Sequence, residues 1–290
     1  MNIVLLSRQP DLYANKRLLL AAIERGCQLT IVDPLSCTLL LQKSNIEITH
    51  PDVNLAEFDF VLPRYGPQWQ RQGNAVLKEL EALGMLSLNH SDAIALARDK
   101  LLCFKLFQEN RLAFPKSACV ESILQLELVV QNEFNFPVLL KQFNSSQGRG
   151  VEIFLHKNEL LRRASDLYAN NVAFMVQEFI AEAEGVDYRL FVLNGKVIAS
   201  MKRTATEGEF RTNIHKGGNA DFYVATQQEE KLAIQAVSLM GLNVAGVDII
   251  YGQDGPMVLE VNACPGFEGL ERVSGVNIAE KMLECGISRN

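Results

Sequence analysis

The sequence has no closely spaced cysteines or histidines. Its six cysteines are scattered without a C-x-x-C pair, and its four histidines are isolated from one another. Regularly spaced cysteines indicate a disulfide framework or a zinc site, and clustered histidines indicate other metal centres. We therefore predict reduced thiols in a cytoplasmic protein, with no zinc site and no histidine-based metal site.

Long apolar runs and a strong charge of one sign are also missing. No stretch reaches the roughly 18–20 apolar residues of a membrane-spanning helix. The apolar stretch in the first residues, MNIVLLSRQPD, is too short for a signal peptide. The net charge of −6 over 290 residues disfavours a protein that coats nucleic acid or binds anionic lipid. We expect no membrane segment and no direct nucleic-acid partner.

The first 95 residues alternate between strand and helix patterns. The apolar run NIVLLS is followed by the amphipathic stretch NKRLLLAAIERG and then by the strand pattern QLTIVD. This rhythm predicts a parallel sheet with helices on its faces. A dinucleotide site needs G-x-G-x-x-G after the first strand, and LSRQPDLYAN has no glycine. The pattern predicts a Rossmann-like shape and disfavours an oxidoreductase.

The remaining sequence has a mixed pattern in which antiparallel hairpins dominate. One helix is predicted over SDAIALARDKLLCFKLFQEN, with Ser91 or Asp92 as its N-cap. A hairpin is predicted over YRLFVLNGKVIASMKR, because Asn194-Gly195 suits the positive φ angles of a type I′ turn. A second hairpin, AGVDIIYGQDGPMVLEVNA, turns near Asp254-Gly255. Together these segments predict an α+β architecture.

Oxygen ligands are grouped on the two strands of the second hairpin. Asp248 lies on one strand, and Glu260 and Asn262 lie on the other with the two-residue spacing that places side chains on one face. Two carboxylates and an amide oxygen suit Mg²⁺ or Mn²⁺. The alternative is a polar sheet face whose carboxylates are exposed or paired with arginine or lysine, and the spacing leaves both interpretations open.

A flexible loop follows Lys141, at the end of the apolar strand PVLLKQF. The segment NSSQGRG is rich in serine and glycine, so its backbone N–H groups could lie over phosphates with the Lys141 charge beside them. The loop lacks the G-K-[ST] sequence of a Walker motif. An ordinary hairpin turn explains the same composition, and the loop alone does not decide between the two.

Two further stretches carry candidate binding groups. Cations crowd into residues 201–218, which suits an anionic substrate or an oxyanion, although a solvated polar loop is the usual explanation of such a run. Glu178 and Asp187 flank a connection between strands, where backbone groups could contact a purine and a carboxylate could contact a ribose. The cations of residues 201–218 are Lys202, Arg203, Arg211, His215 and Lys216.

Taken in order, these motifs resemble the ATP-grasp superfamily, and within it the RimK-type α-L-glutamate ligases. The resemblance is carried end to end by ARDK, VLLKQ with SSQGRGV, VQEFI, DYRLFV, EGEFRTNIHKGG, AGVDII and LEVNACPGFEGLE. It implies an α/β and α+β fold with a Rossmann-like pre-ATP-grasp domain at residues 1–95. Two α+β subdomains, residues 96–183 and 184–290, would then hold ATP between them.

The resemblance also implies roles for individual residues on the nucleotide. Lys100 and Lys141 would approach the ATP phosphates. The backbone of Glu178 and Phe179 would hold adenine, and Asp187 would hold the ribose.

Catalytic and metal-binding roles are implied in the same way. Arg211, Thr212 and Asn213 would lie at the nucleotide and acyl-phosphate side, and Arg203 or Arg211 would stabilise an oxyanion. Two Mg²⁺ or Mn²⁺ ions would be bound, with one carboxylate bridging them. The metal ligands would be Asp248, Glu260 as the bridge, and Asn262.

The implied reaction is an ATP-dependent ligation that activates an acceptor carboxylate as an acyl phosphate and joins it to L-glutamate. In the family the acceptor is often the C-terminus of a ribosomal protein or a small molecule, and the enzymes form homo-oligomers. Alternatives are a ligase for another amino acid and a non-catalytic ATP-binding regulatory module. The second is motivated by a departure from the family pattern, because Asn144 to Gly148 stand where relatives have Glu-Gly-Thr-Gln-Gly.

Overall fold

The described part of the computed structural model, residues 1–43, 46–143, 150–206 and 218–288, contains three larger sheets and one small hairpin. Each larger sheet is formed by a different part of the chain, in sequence order. No helix of the described residues is long and apolar enough to cross a membrane.

The first sheet is parallel, as the strand–helix alternation predicts. Its order is β2-β1-β5-β6, and every described strand pair in it is parallel. The elements of this part are β1 (Asn2–Leu6), α1 (Tyr13–Glu24), β2 (Gln28–Val32), β3 (Thr38–Leu41), β4 (Ile46–Thr49), β5 (Phe60–Pro63), α2 (Gln70–Ala82) and β6 (Leu86–Ser87). Strands β3 and β4 form the separate antiparallel hairpin.

The helix predicted over residues 91–110 is two helices, α3 (Ser91–Arg98) and α4 (Lys100–Glu109). Asp99 separates them with an extended backbone (φ −87°, ψ 96°), and its side chain accepts a hydrogen bond from the Leu102 N–H. Aspartate favours this N-cap geometry over a helix interior. The N-cap of α3 is His90 rather than Ser91 or Asp92. The break makes Lys100 the first residue of α4.

The second sheet is antiparallel, with the order β7-β10-β8-β9. Helices α5 and α6 cover one face of it, where their apolar side chains form a separate core with those of the strands. The elements are β7 (Ser117–Ala118), α5 (Ile123–Glu133), β8 (Val138–Gln142), β9 (Val151–Phe154), α6 (Lys157–Ala169) and β10 (Phe174–Glu178). In β8, Val138 and Leu140 belong to this core, so Leu139 and Lys141 point to the opposite face.

The third sheet has five antiparallel strands in the order β13-β12-β11-β14-β15. Asn194 (φ 48°) and Gly195 (φ 73°) form the turn between β11 and β12, which confirms the two positive φ angles expected there. The elements are β11 (Val186–Leu193), β12 (Lys196–Thr204), β13 (Asn219–Phe222), α7 (Gln227–Leu239), β14 (Val244–Gly252), β15 (Gly255–Asn262), α8 (Glu268–Ser274) and α9 (Ile278–Ile287).

Two apolar cores join the first and third sheets. One core unites α2 and one face of the parallel sheet with α7 and one face of the five-stranded sheet. The other unites α1, α8 and α9 with the opposite faces of both sheets. Burial on both faces explains why β1 is an uninterrupted apolar run.

Asn89 links the first sheet to the third through four hydrogen bonds. Its Nδ2 donates to the carbonyl oxygens of Val244 (2.7 Å) and Ala263 (2.8 Å). Its Oδ1 accepts from the backbone N–H groups of Asn243 (2.8 Å) and Val244 (2.9 Å). Because Asn89 is buried, water cannot easily replace these bonds.

We predict that Asn89→Ala lowers the free energy of unfolding by about 3–5 kcal/mol, because four buried backbone groups lose their partner. Urea denaturation followed by circular dichroism measures the change. Asn170→Ala is the matched control, because the side chain of the exposed Asn170 donates to a single carbonyl within the described residues. We expect it to cost about 1 kcal/mol or less. Equal effects for the two variants would contradict the assigned role of Asn89.

Candidate active site

The candidate site starts from one polar face of the five-stranded sheet. Strand register places Asp248 directly opposite both Arg189 on β11 and Glu260 on β15. Asp187 on β11 lies opposite Arg203 on β12. Directly opposed residues share a face of an antiparallel sheet, so these charged side chains all project to the same side.

Four of these charges form a continuous buried chain of ion pairs. Arg203 donates to both oxygens of Asp187 at 2.6 Å, and its Nη2 lies 3.0 Å from Oδ2 of Asp248. Arg189 donates to both oxygens of Asp248 at 2.7 Å. The Asp248 side chain is only 6% exposed and that of Arg203 only 4%. Two cations and two anions leave the chain neutral, which makes its burial tolerable.

The arginines decide the protonation of Asp248. Burial favours the neutral acid, but Arg189 and Arg203 outweigh burial and lower the pKa of Asp248 to about 2. Burial also opposes the charge on Arg203, while Asp248 and Asp187 raise the pKa of its guanidinium above its ordinary value. Asp248 and Arg203 are therefore both charged at neutral pH.

Glu260 lies in a different environment from Asp248, although the two face each other. Its side chain is 45% exposed, because β15 is an edge strand of the sheet. Glu260 is therefore an exposed carboxylate, whereas Asp248 on the neighbouring strand β14 is buried and paired with two arginines. The Lys100 Nζ lies 3.9 Å from the Glu260 Oε1.

The donor set of this edge fits a divalent cation that prefers oxygen. Glu260 offers an accessible carboxylate, and Asn262, two residues further on the same face, offers an amide oxygen. Asp248 uses its oxygens for the two arginines. Among the described residues there is no group of three or more His, Cys, Asp and Glu that could hold a metal. The carboxylates of Asp248 and Glu260 and the amide of Asn262 are therefore the groups that fit a divalent cation.

Lys141 reaches the same region from the second sheet. It lies on the face of β8 that α5 and α6 leave uncovered. Burial lowers the pKa of Lys141 to about 8, Glu260 and Asp248 act to raise it, and Lys100 acts to lower it further. These electrostatic neighbours show that both lysines and both carboxylates converge, although the residues come from three separate parts of the chain.

Three further predicted residues are Glu178, Phe179 and Asp187. Glu178 ends β10, where its N–H donates to the Lys116 carbonyl (2.9 Å) and its Oε1 accepts from the Lys116 N–H (2.6 Å). Phe179 follows it directly. Asp187 is buried against Arg203, so the ribose contact predicted for it requires that ion pair to open. The adenine and ribose roles stay predictions.

Several predicted groups lie outside the described residues. They are the loop Asn144 to Gly148 and the residues Arg211, Thr212, Asn213, His215 and Lys216.

Arg189 is the residue that sequence reasoning missed. It stands in the quoted motif DYRLFV, two residues after Asp187, and that spacing places both side chains on one face of a strand. The spacing was visible in the sequence. The pairing with Asp248 was not, because it depends on the order of strands in the sheet.

Solved structures define the class of fold. D-cycloserine synthetase DcsG superposes with a TM-score of 0.77 at 16% identity, covering 100% of this chain and 99% of that one. A RimK domain ATP-grasp protein from Sphaerobacter thermophilus gives 0.75 at 18%, covering 99% and 100%. The ATP-grasp ligase PsnB gives 0.75 at 20%, covering 100% and 99%. The predicted ATP-grasp fold is confirmed.

Sequence comparisons define the family. The RimK PreATP-grasp domain matches residues 1–94, and the RimK-like ATP-grasp domain matches residues 97–285. Proteins named probable alpha-L-glutamate ligase are similar over the whole chain. The one from Halorhodospira halophila is 39% identical, covering 100% of this chain and 96% of its own, and the one from Vibrio atlanticus is 37% identical, covering 98% and 94%. The chain belongs to the RimK-like ATP-grasp family.

We predict that the amine of Lys141 becomes reactive in a pH range about two units below that of an ordinary lysine, because only the neutral amine is nucleophilic. Acetylation of the metal-free protein with acetic anhydride between pH 6 and pH 10, read by mass spectrometry, should give a midpoint near pH 8. Exposed Lys105, labelled in the same sample, reports reagent strength. A midpoint above pH 10 would contradict the burial of Lys141 beside Lys100.

Proposed function

We propose that this protein is an ATP- and Mg²⁺-dependent ligase that adds L-glutamate to an acceptor carboxylate. The observation that carries the proposal is the convergence of Lys100 and Lys141 on the edge formed by Asp248, Glu260 and Asn262. Two lysine cations next to oxygen ligands for a metal ion suit the binding of a nucleoside triphosphate. The names of the relatives support glutamate, and a PsnB structure with Mg and ADP supports the nucleotide and the ion.

The proposed division of the chain follows its three sheets. Residues 1–95 form the pre-ATP-grasp domain, residues 96–183 the central subdomain and residues 184–290 the C-terminal subdomain, with ATP held between the last two. Support comes from Lys141, which projects from the uncovered face of the second sheet towards carboxylates of the third. In this division Glu178 and Phe179 lie at the connection that would contact adenine.

In the first step the acceptor carboxylate attacks the γ-phosphate of ATP, which forms the acyl phosphate and releases ADP. This step requires that the negative charge around the γ-phosphate be neutralised. Lys100 and Lys141 bind phosphate oxygens, and binding restores the full charge that burial opposes on Lys141. Asp248, Glu260 and Asn262 would hold one or two Mg²⁺ ions, which supply further charge neutralisation and orient the phosphates. Arg189 and Arg203 keep Asp248 ionised and fixed in position.

In the second step the glutamate amine attacks the carbonyl carbon of the acyl phosphate, and the amide forms as the bond to phosphate breaks and inorganic phosphate leaves. The tetrahedral oxyanion that forms needs a nearby cation, and Arg211 is the proposed donor. Arg203 was predicted for the same task. Because two carboxylates already hold Arg203 in a buried position, we now propose that it positions Asp248 rather than contacts the oxyanion.

The acceptor is proposed to be a carboxylate of a protein C-terminus, such as that of a ribosomal protein, or of a small molecule. PsnB and the macrocyclase MdnC have been solved in complex with precursor peptides, which supports a peptide substrate. We further propose a cytoplasmic homo-oligomer, in keeping with the family resemblance.

The assay that tests the function contains ATP, Mg²⁺, L-glutamate and a panel of peptide and small-molecule carboxylates. We expect ADP release that depends on both glutamate and one acceptor, together with a product heavier by one glutamate residue. Release of ADP with another amino acid and never with glutamate would overturn the glutamate assignment.

A second candidate is a non-catalytic ATP-binding module. It is favoured by the saturation of Asp248 with hydrogen bonds from two arginines, which competes with metal binding. This candidate predicts nucleotide binding without ADP formation for every acceptor. One productive acceptor in the assay excludes it.

We predict that Glu260→Gln lowers turnover by on the order of 100-fold or more, because it removes a metal-binding charge at the transferring phosphate. Steady-state release of ADP measures the loss. Glu152→Gln is the matched control, since Glu152 is also a partly exposed strand residue and pairs with Arg163 outside the site. Near-normal turnover of Glu260→Gln would show that Glu260 holds no essential metal.

A further inference from the structure

Two arginines beside the candidate site have no acidic partner in the part of the chain that the structure describes. Arg64 follows β5 of the parallel sheet, and Arg98 ends α3. Within the described part of the chain neither forms an ion pair, whereas the neighbouring Arg8 pairs with Asp33 at 2.9 Å. Two cations at one place therefore keep their charge uncompensated.

Arg64 is held in place by a buried network of neutral groups. Its Nε donates to Oδ1 of the fully buried Asn15 (3.0 Å), and its Nη2 donates to the carbonyl oxygen of Pro265 (3.1 Å). Asn15 is fixed in turn, because its Nδ2 donates to Ser7 Oγ (2.9 Å) and to the Gln9 carbonyl (2.8 Å). The network orients the guanidinium without neutralising it.

Arg98 lies on the other side of the same segment. Its Nη2 donates to the Tyr65 carbonyl and lies 3.6 Å from Cys264 Sγ, and its guanidinium lies 4.9 Å from the centroid of the Tyr65 ring. Its Nη1 is buried and has no hydrogen-bond partner among the residues that the structure describes. A buried guanidinium N–H without an acceptor is costly, so it marks the place of a missing acceptor.

The segment between these arginines leads directly from the proposed metal ligands. Cys264 and Pro265 follow Asn262, and a Cβ on Gly246 would lie 2.9 Å from the Pro265 Cβ. Gly246 stands two residues before Asp248 on β14. The arginines therefore adjoin the site, at the carboxyl end of the parallel strand β5, where open α/β sheets bind ligands.

A purely structural role does not account for both arginines. A neutral donor could make the Arg64 bond to Pro265, and even partial removal of an unpaired cation from water is unfavourable. Burial in fact lowers the pKa of Arg64 from its ordinary value. Nothing structural satisfies the Nη1 of Arg98 within the described residues. An anionic ligand would satisfy both groups.

We infer that Arg64 and Arg98 form an arginine subsite for the carboxylates of the incoming amino acid, which is L-glutamate. The inference rests on the proposed function and adds the residues that would select the substrate. Only the amine of glutamate reacts, so its two carboxylates stay ionised and need two cations. The planar guanidinium fork matches a carboxylate in two parallel hydrogen bonds.

Calorimetry tests the arginine subsite on the full chain, saturated with a non-hydrolysable ATP analogue and Mg²⁺. We expect Arg64→Met and Arg98→Met each to weaken L-glutamate binding by about 10- to 100-fold, with the affinity for the nucleotide unchanged. Glutarate, which lacks the amine, should compete with glutamate in the wild type and lose affinity in the same variants. Arg163→Met is the control and should bind glutamate normally, because Arg163 pairs with Glu152 elsewhere.

Stability measurements separate this inference from a structural clamp. Arg64→Lys keeps the charge and should retain more glutamate affinity than Arg64→Met. If the methionine variants fold and bind glutamate as the wild type does, or lose only thermal stability, the arginine subsite is wrong while the ligase proposal stands. If the wild type binds the nucleotide but neither glutamate nor glutarate, both the subsite and the glutamate assignment are overturned.

Discussion

The buried ion-pair chain Asp187–Arg203–Asp248–Arg189 is the interaction on which the rest of the site depends. It connects β11, β12 and β14 through side chains of which Asp187, Arg203 and Asp248 are almost fully buried. Removal of one member would leave an opposite charge buried without compensation, which typically costs several kcal/mol. The chain therefore fixes the register of three strands and holds Asp248 ionised at the place where Glu260 and Asn262 meet it.

The candidate site is assembled from residues that lie far apart in the sequence. Lys100 comes from the first turn of α4, Lys141 from the second sheet, and the carboxylates from the third. Lys141 is influenced electrostatically by Glu260, Lys100 and Asp248, so residues from all three parts act on one another in the folded chain. An anionic ligand that binds in such a cleft is stabilised by the lysine, because its charge compensates the ammonium of Lys141 for the water that burial removes.

The sequence predicted features with local causes. Asn194-Gly195 specifies a turn through backbone sterics, and alternation of strand and helix specifies a parallel sheet. The order of strands within a sheet depends on contacts between distant parts of the sequence. The features that the sequence did not predict depend on this order. Glu260 is exposed because β15 is an edge strand, and Arg189 meets Asp248 because β11 lies beside β14. The break at Asp99 shows competition between capping and helix propensity, which periodicity alone does not resolve.

Helix α9 gives the fold an order of assembly. Its apolar residues, among them Ile278 and Leu283, pack in one core with Ile3 and Leu5 of the first strand. During synthesis the first sheet emerges from the ribosome before α8 and α9 do, so α1 is the first of these three helices that can cover this face of the sheet. The core on this face is then completed by late, non-local contacts, which form more slowly than local ones.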